Sequence, residues 1–137
     1  MLRLFFLLSF SVSCTQASKR KHMSVKGQYE LGLKYMRRGM STRAVEQFNK
    51  VRNYHRDDPH SVKAELAIGD VYFKKREWDL ARLAYDDFSR MHPRHPDLDY
   101  VTYRIGMGSF KKASARVGRD QTHTQYALSA WEGFSAR

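Results

Sequence analysis

The feature that most constrains this chain is an internal repeat with a period of 37 residues. Leu31-Gly32-x-x-Tyr35 recurs as Ile68-Gly69-x-x-Tyr72, and Ala44-x-x-x-Phe48 recurs as Ala81-x-x-x-Tyr85. Ile105-Gly106 begins a third copy at the same interval. Self-similarity at a fixed period is typical of repeat architectures, in which each unit buries its apolar face against its neighbours. The chain is therefore predicted to form a stack of similar units.

The residue types within the repeat are those of the tetratricopeptide motif. A small residue on a first helix is followed, twelve residues later, by an alanine and then an aromatic residue on a second helix. The small residue lets the second helix approach closely, and the aromatic residue and the alanine interlock across the pair. Pro59 and Pro93 close the two complete copies. The predicted fold class is all-α, a right-handed superhelix of tetratricopeptide helical hairpins with two repeats and most of a third.

Capping and turn signals divide the chain into helices. Gly39 is predicted to end the first helix, Ser41 to cap the second, and Ser61 to start the third. The segment His92-Pro-x-His-Pro96 is predicted to be a loop, because residues before proline are disfavoured in the helical region. The predicted spans are 25–38, 42–54, 61–75 and 78–91, with a fifth helix from about residue 97.

The third copy is irregular. Its alanine, Ala127, arrives about nine residues late, so residues 113–124 are predicted to be an insertion or an extended loop. The chain stops before a third closing proline, and solenoids normally carry a polar terminal cap. We therefore expect this chain to be the amino-terminal part of a longer protein.

Residues 1–13 are predicted to be a lipoprotein-type signal peptide. A basic start precedes an apolar run at residues 4–12, which is shorter than the roughly 20 residues needed to cross a bilayer and suits an export signal. The sole cysteine, Cys14, follows a small residue and is the predicted lipidation site, with no aspartate after it to hold the protein at the inner membrane. Residues 14–24 would then be a lipid-anchored basic tether and residues 25–137 the repeat domain. An ordinary signal peptide with an incidental cysteine is the alternative.

The charge balance points to an anionic partner. Lys and Arg total 25 against 14 acidic residues, a formal net charge of +11. Such an excess favours a membrane surface, a peptide carboxylate or a nucleic acid, and the export signal argues against nucleic acid. One cysteine excludes an intramolecular disulfide and a cysteine-based zinc site. There is no Gly-rich phosphate loop, G-x-S-x-G or H-E-x-x-H, so no enzyme activity, metal or cofactor is predicted.

Beyond the generic repeat, several motifs follow one another in a fixed order. The second copy ends with Tyr85-x-x-Phe88, then comes the His92-Pro-x-His-Pro96 segment, then Asp99-Tyr100-x-x-Tyr103-x-x-Gly106, and Arg119-Asp120 precedes Ala127-x-x-x-Trp131. With these motifs and its lipoprotein-like start, the sequence resembles the BamD family of outer-membrane assembly lipoproteins, also called YfiO or ComL. Its members are tetratricopeptide subunits of the β-barrel assembly machine, usually with more repeats than this chain.

The resemblance implies a lipid-anchored scaffold on the periplasmic face of the outer membrane. Such a scaffold binds unfolded outer-membrane protein precursors and promotes their insertion. The implied partners are the barrel insertase subunit, the other lipoproteins of the complex and the membrane through the lipid anchor, with no nucleic acid. A different periplasmic tetratricopeptide adaptor, such as the Tol-Pal-associated cell-division coordinator, is the alternative.

In tetratricopeptide pairs, fixed positions of each first helix share one face and line a concave groove. Here the predicted groove is rich in aromatic and methionine side chains and has several Lys or Arg against one Asp. It suits an extended peptide with aromatic side chains and a free carboxylate. In the alternative interpretation the aromatics only pack between repeats and the lysines are merely solvated. The predicted groove residues are Tyr29, Met36, Arg37, Lys63, Asp70, Phe73, Lys74, Tyr100, Tyr103, Met107 and Lys111.

Overall fold

A computed structural model describes residues 23–115 and 121–135. Within these ranges the chain forms six helices and no strand: α1 (Val25–Arg37), α2 (Ser41–Tyr54), α3 (Pro59–Lys74), α4 (Trp78–Met91), α5 (Leu98–Ala115) and α6 (Thr122–Ser135). Each helix packs against the next, and α1 also contacts α3. This packing confirms the all-α superhelix of tetratricopeptide-type hairpins. The signal segment, Cys14 and most of the tether lie outside the described residues.

Each of the first two hairpins is closed by an aromatic ring that lies directly on a glycine. A methyl group added to Gly32 would stand 2.5 Å from the ring of Phe48, and one added to Gly69 would stand 2.5 Å from the ring of Tyr85. Both rings are fully buried. Because neither position has room for a β-carbon, glycine sets how closely the two helices of a hairpin approach.

The third hairpin repeats this contact with a larger ring. Trp131 lies on Gly106, so a methyl group there would collide with the indole. Ala127 is buried beside it, which confirms the two residues as the delayed third pair. The indole N–H is buried and has no acceptor among the described residues.

The hydrophobic core is continuous across the repeats because α3 contributes to two clusters. The first lies among α1, α2 and α3 and is built from Ala44, Phe48, Val51, Ala64, Ala67, Ile68 and Val71. The second lies among α3, α4 and α5 and is built from Phe73, Ala81, Tyr85, Phe88 and Val101. Burial of α3 on both sides therefore couples the hairpins, as in other solenoids.

Two helix starts differ from those predicted from the sequence. Met40 occupies the N-cap position of α2 and no side chain caps that helix, so Ser41 is its first residue and not its cap. α3 begins at Pro59 instead of the predicted Ser61, because the Asp58 carboxylate accepts a hydrogen bond from the backbone N–H of His60 at 2.8 Å. Proline fits the first turn of a helix, where its missing N–H has no partner to lose.

The last connection is also shorter than predicted. α5 continues to Ala115 and α6 begins at Thr122, so the two ends of the predicted loop at residues 113–124 are helical. The span predicted for α4 matches the structure, and the His-Pro segment is a turn between α4 and α5, as predicted. None of the helices in the described ranges is long and apolar enough to cross a membrane.

The turns inside the first two hairpins place a left-handed residue at equivalent positions. Gly39 has a φ of 75° and Arg76, one repeat later, has a φ of 62°. Glycine adopts this conformation freely, whereas for arginine it costs about 1 kcal/mol. The second hairpin thus keeps a cation where glycine would be less strained.

We expect Gly69→Ala to lower the free energy of unfolding by about 1–3 kcal/mol, because the added methyl group meets the buried Tyr85 ring. Urea unfolding followed by circular dichroism measures this change. Gly108→Ala is the matched control, since its methyl group would be 3.7 Å from Phe73, an ordinary contact. There we expect a change between zero and a gain of about 1 kcal/mol from helix propensity. Equal effects of the two substitutions would contradict the prediction.

Candidate functional site

The first helices of the three hairpins lie side by side, and we call the surface that carries the predicted groove residues of α1, α3 and α5 the A-helix face. The Lys74 ammonium donates a hydrogen bond to the backbone carbonyl of Met36 at 3.1 Å, which joins α3 to α1. The Tyr100 hydroxyl donates to the Asp70 carboxylate at 2.6 Å, which joins α5 to α3. The predicted groove residues are therefore brought onto three neighbouring helices.

Asp70 is the centre of a polar cluster on this face. Its Oδ1 atom accepts hydrogen bonds from the hydroxyl of Tyr85 at 2.7 Å and from that of Tyr100 at 2.6 Å. The Arg104 guanidinium lies 3.4 Å from the same oxygen. Hydrogen bonds and an ion pair therefore engage the one acidic residue among the predicted groove positions.

Arg104 is held in place by its neighbours. Its Nε atom donates to the Tyr100 hydroxyl at 2.8 Å, and its guanidinium lies over the Phe73 ring, 4.0 Å from the centroid. Phe73 is only 9% exposed and also packs edge-on against Trp78. The Phe73 ring therefore lies in the core beneath the arginine and not on the open surface, and its contact with a peptide stays a prediction.

The tyrosine hydroxyls of the cluster are stabilised as hydrogen-bond donors. Burial raises the pKa of Tyr100 to about 12, with a further contribution from its hydrogen bond to the Asp70 carboxylate. Burial, together with the charge of Asp70, also raises the pKa of Tyr85 far above its usual range. Both hydroxyls therefore remain protonated into the alkaline range and continue to donate hydrogen bonds to Asp70.

The open part of the A-helix face is aromatic on α5. Tyr100, Tyr103 and Phe110 are exposed by 38%, 46% and 50%, and they follow one another along the helix. Met107 is half-buried and packs against the second core cluster. The three exposed rings of α5 offer apolar contact area at a low cost in side-chain entropy.

On α1 the predicted residues are more deeply set. Tyr29 is half-buried, with its ring centroid 5.7 Å from that of Phe48 and 5.6 Å from that of His60, and burial raises its pKa. Met36 is half-buried against the first core cluster. These side chains contribute mainly to packing between the hairpins.

The cations of the face differ in their availability. Arg37 and Lys63 are exposed, and neither forms an ion pair with a carboxylate in the described part of the chain. Lys111 is exposed as well. Lys74 is exposed, but its ammonium is engaged by the carbonyl at the end of α1. Arg37 and Lys63 are thus the clearest candidates to meet an anionic ligand.

Two members of the cluster, Tyr85 and Arg104, are absent from the residues predicted from sequence. Arg104 follows Tyr103 by one residue and falls outside the counted groove positions, although helical spacing from Tyr100 places it on a similar face. The repeat pattern predicts only a packing role for Tyr85, and its ring does pack on Gly69. The signal that could have found its second role is its hydroxyl, since the equivalent residue of the first repeat is Phe48.

A second depression lies away from this face, among α2, α3 and α4. Its lining includes Arg52, Leu80, Leu83, Asp87 and Met91, and the three apolar side chains of this set are exposed. Their spacing along α4 matches one side of a helix. The groove prediction did not include this surface.

The two histidines between α4 and α5, His92 and His95, are held by contacts with neighbouring side chains. His92 lies 2.6 Å from a carboxylate oxygen of Glu65, and its ring packs against that of Phe88. His95 packs edge-on against Phe88 from another side. Among the residues that the structure covers, no three histidine, cysteine, aspartate or glutamate side chains are grouped so that they could hold a metal ion.

Comparison with known proteins identifies one family. The sequence profile of the YfiO family, described as an outer membrane lipoprotein, matches residues 21–136. Proteins named outer membrane protein assembly factor BamD from Neisseria meningitidis serogroup B and Neisseria gonorrhoeae are 34% and 32% identical over 71 residues. These residues are 52% of this chain, and they span 27% of the length of each relative.

We expect the free energy of unfolding to fall as the pH rises from about 10 to about 12, and Tyr100→Phe to reduce that fall. The unfolded chain releases this proton near pH 10 and the folded protein only near 12. The contribution is therefore complete below about pH 10 and is lost as the pH rises through the folded pKa.

Urea unfolding at a series of alkaline pH values measures the effect. Tyr54→Phe is the control, because the Tyr54 side chain is 78% exposed and its replacement should leave the pH dependence of the wild type unchanged. A Tyr100→Phe curve parallel to the wild type would show that Tyr100 is not protected.

Proposed function

Because the chain belongs to the YfiO family of outer membrane lipoproteins, we propose that it is a lipid-anchored scaffold of the complex that assembles β-barrel proteins in the outer membrane. Residues 1–13 act as the signal peptide, Cys14 carries the lipid, and residues 14–24 tether the repeat domain of residues 25–137 to the periplasmic face. The name outer membrane protein assembly factor, carried by the Neisseria relatives, supports this assignment.

The A-helix face binds unfolded outer-membrane protein precursors as extended peptides that end in an aromatic residue and a free carboxylate. The observation that carries this proposal is the occupation of Asp70 by Tyr85, Tyr100 and Arg104. Because the Asp70 carboxylate is already bound by these neighbours, the face presents exposed aromatic rings on α5 and free cations on α1 and α3. Aromatic rings stack with an aromatic peptide side chain, and cations pair with its carboxylate.

The mechanism is binding and positioning, with no covalent bond made or broken. A stack of hairpins holds the A-helix face rigid, which reduces the entropy lost when a peptide binds. The partners in this role are the barrel insertase subunit, the other lipoproteins of the complex and the membrane. Co-purification of Tol-Pal components in place of a barrel insertase would instead favour the cell-division adaptor.

Titration of a peptide ending in phenylalanine tests the proposal. We expect Arg37→Gln combined with Lys63→Gln to weaken binding of the free-acid peptide about three- to tenfold, or about 0.6–1.4 kcal/mol, because both cations are exposed and screened. The same peptide with an amidated end should bind both proteins about equally, since it offers no carboxylate.

The matched control removes two cations from a different surface, Arg52→Gln with Arg56→Gln. Its net charge equals that of the groove variant, so general electrostatic attraction falls by the same amount in both. Wild-type affinity is expected for the control. Two outcomes would refute binding on the A-helix face. In one, both variants lose affinity by the same amount, and in the other, neither variant loses affinity.

A further inference from the structure

One edge of the stack collects the ends of the first helices and the starts of the second helices. Lys75 borders the same surface depression as Gly39 and Met40, which brings the turn after α3 beside the turn after α1. The Lys112 ammonium donates a hydrogen bond to the Asp79 carboxylate at 2.5 Å, which brings the end of α5 beside the start of α4. We call this surface, residues 34–43, 74–79 and 111–112, the basic edge.

The basic edge has nine cations and two acids. The opposite edge, formed by the turns at residues 52–60 and 90–99, has four cations and four acids. Within the residues that the structure describes, the excess of positive charge is therefore concentrated at one end of the helices. The cations of the basic edge are Lys34, Arg37, Arg38, Arg43, Lys74, Lys75, Arg76, Lys111 and Lys112.

The two acids of the basic edge are already paired. Glu77 binds Lys75 at 2.7 Å and Asp79 binds Lys112 at 2.5 Å. Five other cations form no ion pair with a carboxylate in the described part of the chain: Lys34, Arg37, Arg38, Arg43 and Arg76. The edge thus presents several like charges side by side without internal compensation.

Helix dipoles explain only part of this accumulation. A cation in the last turn of a helix is favoured by the dipole, which accounts for Lys34 and Arg37 on α1 and Lys74 on α3. Arg43 lies in the first turn of α2, where the dipole disfavours a cation, and that turn has no acidic residue. Arg76 holds a left-handed conformation that glycine adopts without strain. Neither cation is explained by a helix dipole. Arg43 lies over the Tyr35 ring, 5.9 Å from its centroid, and both arginines are exposed, so their charges can meet an external anion.

We propose that the basic edge docks on an anionic phospholipid surface. Each Lys or Arg near such a surface adds to the attraction, which acts over about a Debye length. The family is one of outer membrane lipoproteins, so a bilayer is the anionic surface present at the highest effective concentration. Met40 lies among the cations with 39% of its surface exposed and can insert between headgroups.

The tether is long enough for this orientation. α1 has 13 residues and spans about 20 Å from its start to the basic edge. Residues 15–24, between Cys14 and Val25, reach about 35 Å when extended. The lipid could therefore stay in the membrane while the edge lies on it. The orientation of the anchored protein rests on the lipid anchor of the proposed function, whereas the vesicle measurement uses protein without the lipid.

Vesicle binding by the full-length chain without lipid modification tests the inference. The edge variant is Arg38→Gln, Arg43→Gln and Arg76→Gln, and the control is Arg52→Gln, Arg56→Gln and Arg94→Gln on the opposite edge. The two have the same net charge and the same apolar run at residues 4–12. With vesicles of seven parts phosphatidylcholine to three parts phosphatidylglycerol, we expect the edge variant to bind at least tenfold more weakly than the wild type. The control should bind within about threefold.

Two outcomes would overturn the inference. An equal loss in both triple variants would show that only net charge matters. Wild-type binding no tighter to the mixed vesicles than to pure phosphatidylcholine would instead point to an acidic protein partner for this edge. Arg76→Gly provides a second variant, because it removes a charge and relieves backbone strain together. A higher denaturation midpoint with weaker vesicle binding is expected, so loss of folding cannot explain the lost affinity.

Discussion

The packing of an aromatic ring on a glycine in every hairpin determines the rest of this structure. The contact sets the distance between the two helices, and it also fixes which side chains meet on the A-helix face. Asp70 follows Gly69 in sequence, so the Tyr85 ring that packs on the glycine brings its hydroxyl to the Asp70 carboxylate. In the first hairpin the equivalent residues are Phe48 and Leu33, and both are apolar. Among the described residues, the ring of the second hairpin combines a packing role with a polar one, whereas Phe48 is apolar and the Trp131 N–H has no acceptor.

Periodicity was sufficient to predict the helices and their pairing, because the repeated glycine and aromatic residues act within one hairpin over short separations. Helix starts were harder to predict, since an aspartate before a proline began α3 earlier than a serine would. Of the predicted groove residues, Asp70 and Tyr100 lie in contact, whereas the Phe73 ring is buried. Phe73 is buried in part because the Arg104 guanidinium lies over its ring. This contact between α5 and α3 depends on the directions of the two side chains, which residue spacing alone does not predict.

The two surfaces proposed for binding follow from the same connectivity. In a stack of hairpins all first helices run in the same direction, so their carboxyl ends meet at one edge while their sides form one face. Cations that suit the end of each helix then accumulate from repeat to repeat, as Lys34 and Lys74 show. The A-helix face gains its positive character differently, through the internal occupation of Asp70. One surface thus offers rings beside a few cations, and the other offers a row of charges.

The positions of the two tryptophans make the hairpins distinguishable by intrinsic fluorescence. Trp78 packs edge-on against Phe73, with ring centroids 5.1 Å apart, and Trp131 lies on Gly106. The first hairpin has no tryptophan. Unfolding of that hairpin therefore changes the helical circular dichroism signal and leaves the tryptophan emission of the other two hairpins nearly constant. Stacked repeats are coupled only to their neighbours. The gap between the two optical transitions therefore measures how independently the end of the chain nearest the tether frays.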